Sequence, residues 1–238
     1  MVSAMRDSVV GGMAVHVAFT PAETVSADVC IVVDVLRATS TIAQALAAGY
    51  SRVFCCSEIG EALALRDSLG EGVLGGERQA LRVEGFDLGA SPREFLEPRG
   101  ATVIFSTTNG TRAIATAAAR SERVLLGSLL NLAAVAGAAR ELGGDVTVVC
   151  AGFQGAFALD DAYCAGRIVD LLPGTRSDAA IAAAVLADSF PSALAGLQAR
   201  TYGPPGLEAD IAWCARESVL DVVPRLARLH GETAEVTA

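Results

Sequence analysis

Three stretches of the chain place carboxylates, arginines and hydroxyls where an apolar run gives way to a helical one. The first reads Asp34-Val35-Leu36-Arg37-Ala38-Thr39-Ser40-Thr41. Thr39 or Ser40 can cap the helix that follows, and Asp34 can accept amide hydrogen bonds. Arg37 is harder to explain as structure, because a cation near a helix N-terminus loses about 0.3–1 kcal/mol against the dipole unless an anion sits beside it. The second, Ser106-Thr107-Thr108-Asn109-Gly110-Thr111-Arg112, repeats that chemistry, and its hydroxyls, amide and backbone N–H groups can ring an oxyanion. In the third, Ala151 to Asp161, Asp160 reads as an N-cap and Asp161 falls in the first turn; adjacent carboxylates repel unless a cation is near, which brings a metal into consideration.

The elements that must position these residues follow from hydrophobic pattern. Val29 to Leu36 is apolar enough for a strand buried on both faces, followed by a helix over Ala38 to Ala48 that Gly49 ends. Strand–helix alternation continues with Arg52 to Cys56, Glu58 to Leu69, Thr102 to Phe105, Gly110 to Arg120, Arg123 to Leu126, Leu132 to Leu142, Asp145 to Ala151 and a helix opened by Asp160. Met13 to Phe19 predicts a further strand. The C-terminal third reads as mostly helical, with a late strand at Val219 to Val223 and a turn at Pro204-Pro205. This alternation predicts an α/β fold, a three-layer α/β/α arrangement with a mainly parallel sheet, as one unit over residues 1–238 or two closely packed lobes. The segment Gly75 to Pro92 breaks the rhythm. Long loops without structure are uncommon and are often functional, so it is read as a site loop with a short edge strand at Leu81 to Val83.

Composition narrows the chemistry. All 18 residues of the Lys+Arg count are arginine, so a Walker-type phosphate loop and a lysine Schiff base are excluded, and the forked guanidinium is the only cationic side chain for oxyanions besides two histidines. His16 and His230 lie in no catalytic context. No cysteine has the arginine spacing of a cysteine phosphatase, and Leu36 stands where a haloacid-dehalogenase-type enzyme needs a second Asp. What remains is carboxylate and arginine chemistry, which suits Mg²⁺ with phosphate. A formal net charge of −9 disfavours nucleic acid and anionic membrane as partners. The six cysteines lack ligand spacing and read as reduced, buried thiols; with no apolar run long enough for a membrane span, the expected location is cytoplasmic.

Five blocks, IVVDVLRATSTI (31–42), GGER (75–78), VEGFDLGASP (83–92), STTNGTRA (106–113) and CAGFQGAFALDDAYCAG (150–166), resemble in order and spacing the signature blocks of the 2-phosphosulfolactate phosphatase family. The pattern departs at Ala90 and at Phe153-Gln154, which bears on the substrate more than on the reaction. The resemblance implies a Mg²⁺-dependent phosphoric monoester hydrolase that removes phosphate from 2-phospho-3-sulfolactate, a step of coenzyme M biosynthesis. On that reading Asp34, Arg37, Glu77 and Asp87 are catalytic and Asp34, Glu77, Asp87 and Asp161 hold the metal. Arg78, Ser106, Thr107, Thr108, Asn109, Arg112, Thr39 and Ser40 bind a small anionic phosphate ester. The alternatives are a non-catalytic anion sensor on the same scaffold and a phosphatase of another metabolite; a homodimer is left open.

Overall fold

The computed structural model describes residues 12–23, 27–203 and 205–238. Eleven strands are described: β1 (Ala14–Ala18), β2 (Val29–Val33), β3 (Arg52–Cys56), β4 (Val73–Arg78), β5 (Leu81–Arg82), β6 (Thr102–Ser106), β7 (Arg123–Gly127), β8 (Val146–Cys150), β9 (Thr175–Arg176), β10 (Arg225–His230) and β11 (Thr233–Thr237). They lie in the order β5-β4-β6-β3-β11-β10-β7-β2-β8-β1-β9. Two parallel blocks, β4-β6-β3 and β7-β2-β8-β1, are joined by the antiparallel β10–β11 hairpin. The sheet is mainly parallel, as the alternation predicts.

Three successive antiparallel steps, β7 to β10 to β11 to β3, make the two blocks run in opposite directions. The ends of β2 and β6 that carry Asp34 and Thr107 nonetheless face one cleft.

The helices cover both faces. Side chains alternate along a strand, so Val29, Ile31 and Val33 pack on one side with α4 (Leu132–Leu142), α5 (Leu159–Leu171) and α6 (Asp178–Asp188). Cys30 and Val32 pack on the other side with α1 (Ala38–Ala48) and α3 (Asn109–Ala118). Under the first block, α2 (Ile59–Leu69) closes a smaller core on Phe54, Leu74 and Ile104. Short helices α7 (Ala193–Gln198) and α8 (Glu208–Cys214) complete the C-terminal third.

Four local expectations are corrected. Gly75-Gly76 reads as loop in the sequence but belongs to β4. The glycines are there for close approach, since a Cβ on Gly76 would stand 2.4 Å from the Ser106 carbonyl oxygen. Val219 to Val223 is not a strand: the amides of Val219 and Leu220 both bond the Leu130 carbonyl, and the pairing segments lie further on as β10 and β11. The N-cap of α5 is Ala158, not Asp160. Arg37, not Thr39 or Ser40, occupies the N-cap position of α1. Pro204 lies outside the described residues.

Candidate active site

The cleft has a volume of about 900 Å³, and ends of both parallel blocks contribute to it. Asp34, Arg37, Glu77, Arg78, Thr107, Thr108, Asn109 and Arg112 all line it, so eight of the residues singled out in the sequence come together. The opposing wall comes from Phe153 and Gln154 after β8 and from Arg200, Tyr202 and Gly203 between α7 and α8.

Asp34 directly follows the buried strand β2 and is itself only 8% exposed. Its Oδ1 accepts from the Ala38 amide at 3.2 Å, in the first turn of α1. Burial, reinforced by repulsion from Asp160 and Glu77, raises its carboxyl to about 7, against the opposing pull of the Ala38 amide and Arg37. Behind it Asp160 is raised too, chiefly by burial, and accepts hydrogen bonds from the Tyr202 hydroxyl and from the Asp161 amide. Asp161 lies well above the carboxylate range, because burial adds to the charges of Asp160 and Asp34.

The four arginines at the cleft differ in what they touch. Arg37 follows a cis Leu36–Arg37 peptide and pairs with Asp210 at 2.7 Å, each side chain 8% exposed; it also donates to the Ala80 carbonyl at 3.1 Å. Ser91 donates to the other oxygen of Asp210, tying α8 to the loop after β5. The Arg78 guanidinium bonds the carbonyls of Glu77 and Ser57 at 2.7 Å each and Ser106 Oγ at 3.0 Å. Carbonyl partners orient that cation without neutralising it. Among the described residues Arg112 and Arg200 have no carboxylate partner. Between these groups Gln79 and Ala80 hold φ of 55° and 62°, a left-handed conformation costing about 1–3 kcal/mol per residue. It is fixed from both sides, the Ala80 amide donating to Glu77 and its carbonyl accepting from Arg37.

Six of the anticipated roles need correction, that of Arg37 among them, since its guanidinium is taken up by Asp210 and the Ala80 carbonyl. Asp87 is not in the cleft; its Oδ2 accepts from the Leu74 amide at 2.9 Å, near the start of β4, and it lines a separate depression with Glu71 and Arg99. Asp161 has its two oxygens on the Val35 and Gly152 amides at 2.9 and 3.0 Å, where it clamps two strand ends, and it is not among the residues lining the cleft. Thr39 and Ser40 direct their hydroxyls back to the carbonyls of Asp34 and Val35. Ser106 is buried and holds Arg78. Sequence reasoning missed Arg200, Tyr202 and Asp210, which sit in the C-terminal third with no local motif; only Pro204-Pro205 nearby marked a turn.

A divalent cation is compatible with these donors on one observation: the carboxylates of Asp34 and Glu77 meet in the lining of one cleft, and burial with like-charge repulsion disfavours ionised Asp34 there unless a cation joins it. No group of three potential ligand side chains forms a ready-made cage among the described residues. Mg²⁺ does not require one, because it commonly takes one or two carboxylates together with substrate phosphate and water.

Gly110 supports Asp34 from below. A Cβ there would stand 2.7 Å from Ala38 Cβ and 3.0 Å from Asp34 Oδ2. Gly110→Ala should therefore lower turnover about 100-fold by displacing the carboxylate. The helix preference of alanine, about 1 kcal/mol, should offset only part of the cost of the contact with Ala38 Cβ, so the melting temperature should fall by a few degrees at most. Parallel steady-state kinetics and thermal melts would check this, and full activity in the variant would place Gly110 outside the site.

The arrangement is that of an α/β enzyme acting on a small anion, with strand-end carboxylates facing guanidinium groups and the N-terminus of α3. Sequence comparison gives it a family. The family model for 2-phosphosulpholactate phosphatase matches residues 16–228. A protein of Thermus thermophilus named "Probable 2-phosphosulfolactate phosphatase" is 40% identical over 216 residues, covering 86% of this chain and 90% of the relative. One of Carboxydothermus hydrogenoformans with the same name is 37% identical over 223 residues, covering 89% and 92%. The chain belongs to the 2-phosphosulfolactate phosphatase family, whose named activity is that of a phosphoric monoester hydrolase.

Proposed function

We propose that this chain hydrolyses 2-phospho-3-sulfolactate, or a closely similar phosphorylated hydroxy acid, to the hydroxy acid and phosphate with Mg²⁺ as cofactor. The observation that carries the reading is the meeting of Asp34 and Glu77 with Arg78, Arg112 and the start of α3 in one cleft. The phosphate would lie at the N-terminus of α3, where free amides, Thr107, Thr108 and Asn109 donate and Arg112 supplies charge. No side-chain cap occupies that helix end. Arg78, held rigid by carbonyls, adds a preoriented cation where charge develops as the ester bond breaks. When bound, Mg²⁺ supplies further neutralisation of the phosphoryl oxygens, and Asp34 and Glu77 would hold it. The Asp34 oxygen turned away from the cation would orient the attacking water and accept its proton, which passes to the departing alkoxide oxygen so that hydroxy acid and phosphate leave. Arg37 shapes the Ala80 turn and keeps Asp210 and α8 against the cleft.

Six buried, unpaired cysteines agree with a reducing compartment, the cytoplasm, and no helix of the described residues is long and apolar enough to cross a membrane. The test is phosphate release from 2-phospho-3-sulfolactate, 2-phospholactate and isopropyl phosphate, with Mg²⁺ and with chelator. Metal-dependent turnover highest on the sulfonated substrate is expected. Tight binding without release would make the protein an anion sensor, and faster release from another ester would change the substrate.

A further inference from the structure

We propose that Arg200 is a specificity-determining residue that grips a second anionic group of the substrate, a carboxylate or sulfonate, while α3 and Arg112 take the phosphate. The proposal rests on the hydrolase reading above and assigns a role to a residue outside the family-like sequence blocks.

The case begins with which cleft cations remain available. Arg37 is neutralised by Asp210, whereas Arg78 keeps its charge but has both Nη groups committed to carbonyls and Ser106, so it acts on the ester through its field and leaves direct grip of an anion to other arginines. Arg112 and Arg200 are left without a carboxylate, and they arrive from different segments: Arg112 from α3 after β6, Arg200 from the loop between α7 and α8. Two separated cations suit a ligand with two separated anions.

Arg200 is also built into place. Its Nη1 donates to the Tyr202 carbonyl at 2.8 Å, and its guanidinium carbon lies 5.9 Å from the Tyr202 ring centroid. Tyr202 is anchored twice, by its hydroxyl on Asp160 and by stacking on Phe153 with ring centroids 4.7 Å apart and planes 25° apart. Gly203, at φ 87°, leaves room for the guanidinium; a Cβ there would stand 2.4 Å from Nη1. A cation held by one hydrogen bond and one aromatic ring keeps most of its donors for a ligand, and its forked geometry matches a planar or trigonal oxyanion. The Tyr202 ring, itself backed by Phe153, lies along one side of it.

The experiment compares kcat/KM of Arg200→Gln, Arg200→Lys and Gly203→Ala on 2-phospho-3-sulfolactate and on isopropyl phosphate, which lacks a second anion. Arg200→Gln should lose about 10- to 100-fold on the sulfonated substrate, mostly through KM, and at least about tenfold less on isopropyl phosphate. Arg200→Lys should recover part of the loss, and Gly203→Ala, which displaces the guanidinium, should reproduce its direction. Calorimetric binding of sulfolactate, which needs no turnover, should weaken by a comparable factor in Arg200→Gln. Equal losses on both substrates, or unchanged sulfolactate affinity, would overturn the assignment. If the unaltered protein cleaves neither ester yet binds sulfolactate through Arg200, the hydrolase reading fails and the subsite stands.

Discussion

Replacing Asp34 by asparagine should lower turnover about 10²–10⁴-fold and raise the melting temperature of the metal-free protein at pH 8. Both effects come from one burial. The Asp34 carboxyl is raised from 3.8 to about 7, so the folded protein holds its proton more tightly than the unfolded chain does. The stabilisation from that proton is fully present below about pH 4 and is lost as pH rises through about 7. At pH 8 the folded state therefore carries a buried negative charge beside Asp160 and Glu77. Asparagine removes the charge and keeps an oxygen to accept from the Ala38 amide. A gain of about 1–2 kcal/mol would appear as roughly 2–8 °C in a chain of this size. Melts in chelator at pH 5 and pH 8, run beside phosphate-release assays, would measure it. The gain should shrink at pH 5, and a lower melting temperature at pH 8 would mean that the charged carboxylate stabilises the fold. A phosphorylated Asp34 trapped under single-turnover conditions would assign it attack on phosphorus instead of service to water.

Chelation of divalent cations should reduce phosphate release by more than about 10³-fold, with full recovery on adding Mg²⁺. The same addition should raise the melting temperature, because a ligand that binds only the folded state at 100 times its Kd adds about 2.7 kcal/mol. The increment should be larger at pH 8 than at pH 5: ionised carboxylates hold the cation, whereas at pH 5 a proton occupies Asp34. In Asp34→Asn the increment should shrink sharply. Undiminished turnover in chelator would leave the arginines and the N-terminus of α3 as the sole stabilisers of the leaving phosphate.

What could be read from the sequence follows the range of the forces involved. Alternating apolar runs are a local signal, and they predicted the β-loop-α units and the junctions that bring Asp34, Thr107, Thr108, Asn109 and Arg112 to the cleft. Residue type without partner geometry was a weaker guide. Asp87 and Asp161 have the chemistry of metal ligands, yet backbone amides 13 and 126 positions away take up their oxygens. Arg37 was read as an anion holder, but its nearest anion is Asp210, 173 positions along the chain. No local pattern announces such a pairing. Arg200 escaped for the same reason, since a lone arginine after a helix resembles any solvated end until Tyr202 is seen docked on Phe153 and Asp160.

The β10–β11 hairpin gives the molecule a particular assembly order. It occupies the middle of the sheet, meeting β3 over three residue pairs and β7 through one, although it comes last in the chain. While the polypeptide is being synthesised, the other described strands leave the ribosome before these two, so β3 and β7 wait with open hydrogen-bonding edges. The nascent protein therefore passes through a stage of two half-sheets with no bridge between them, the stage at which it is most exposed to pairing with a neighbouring chain.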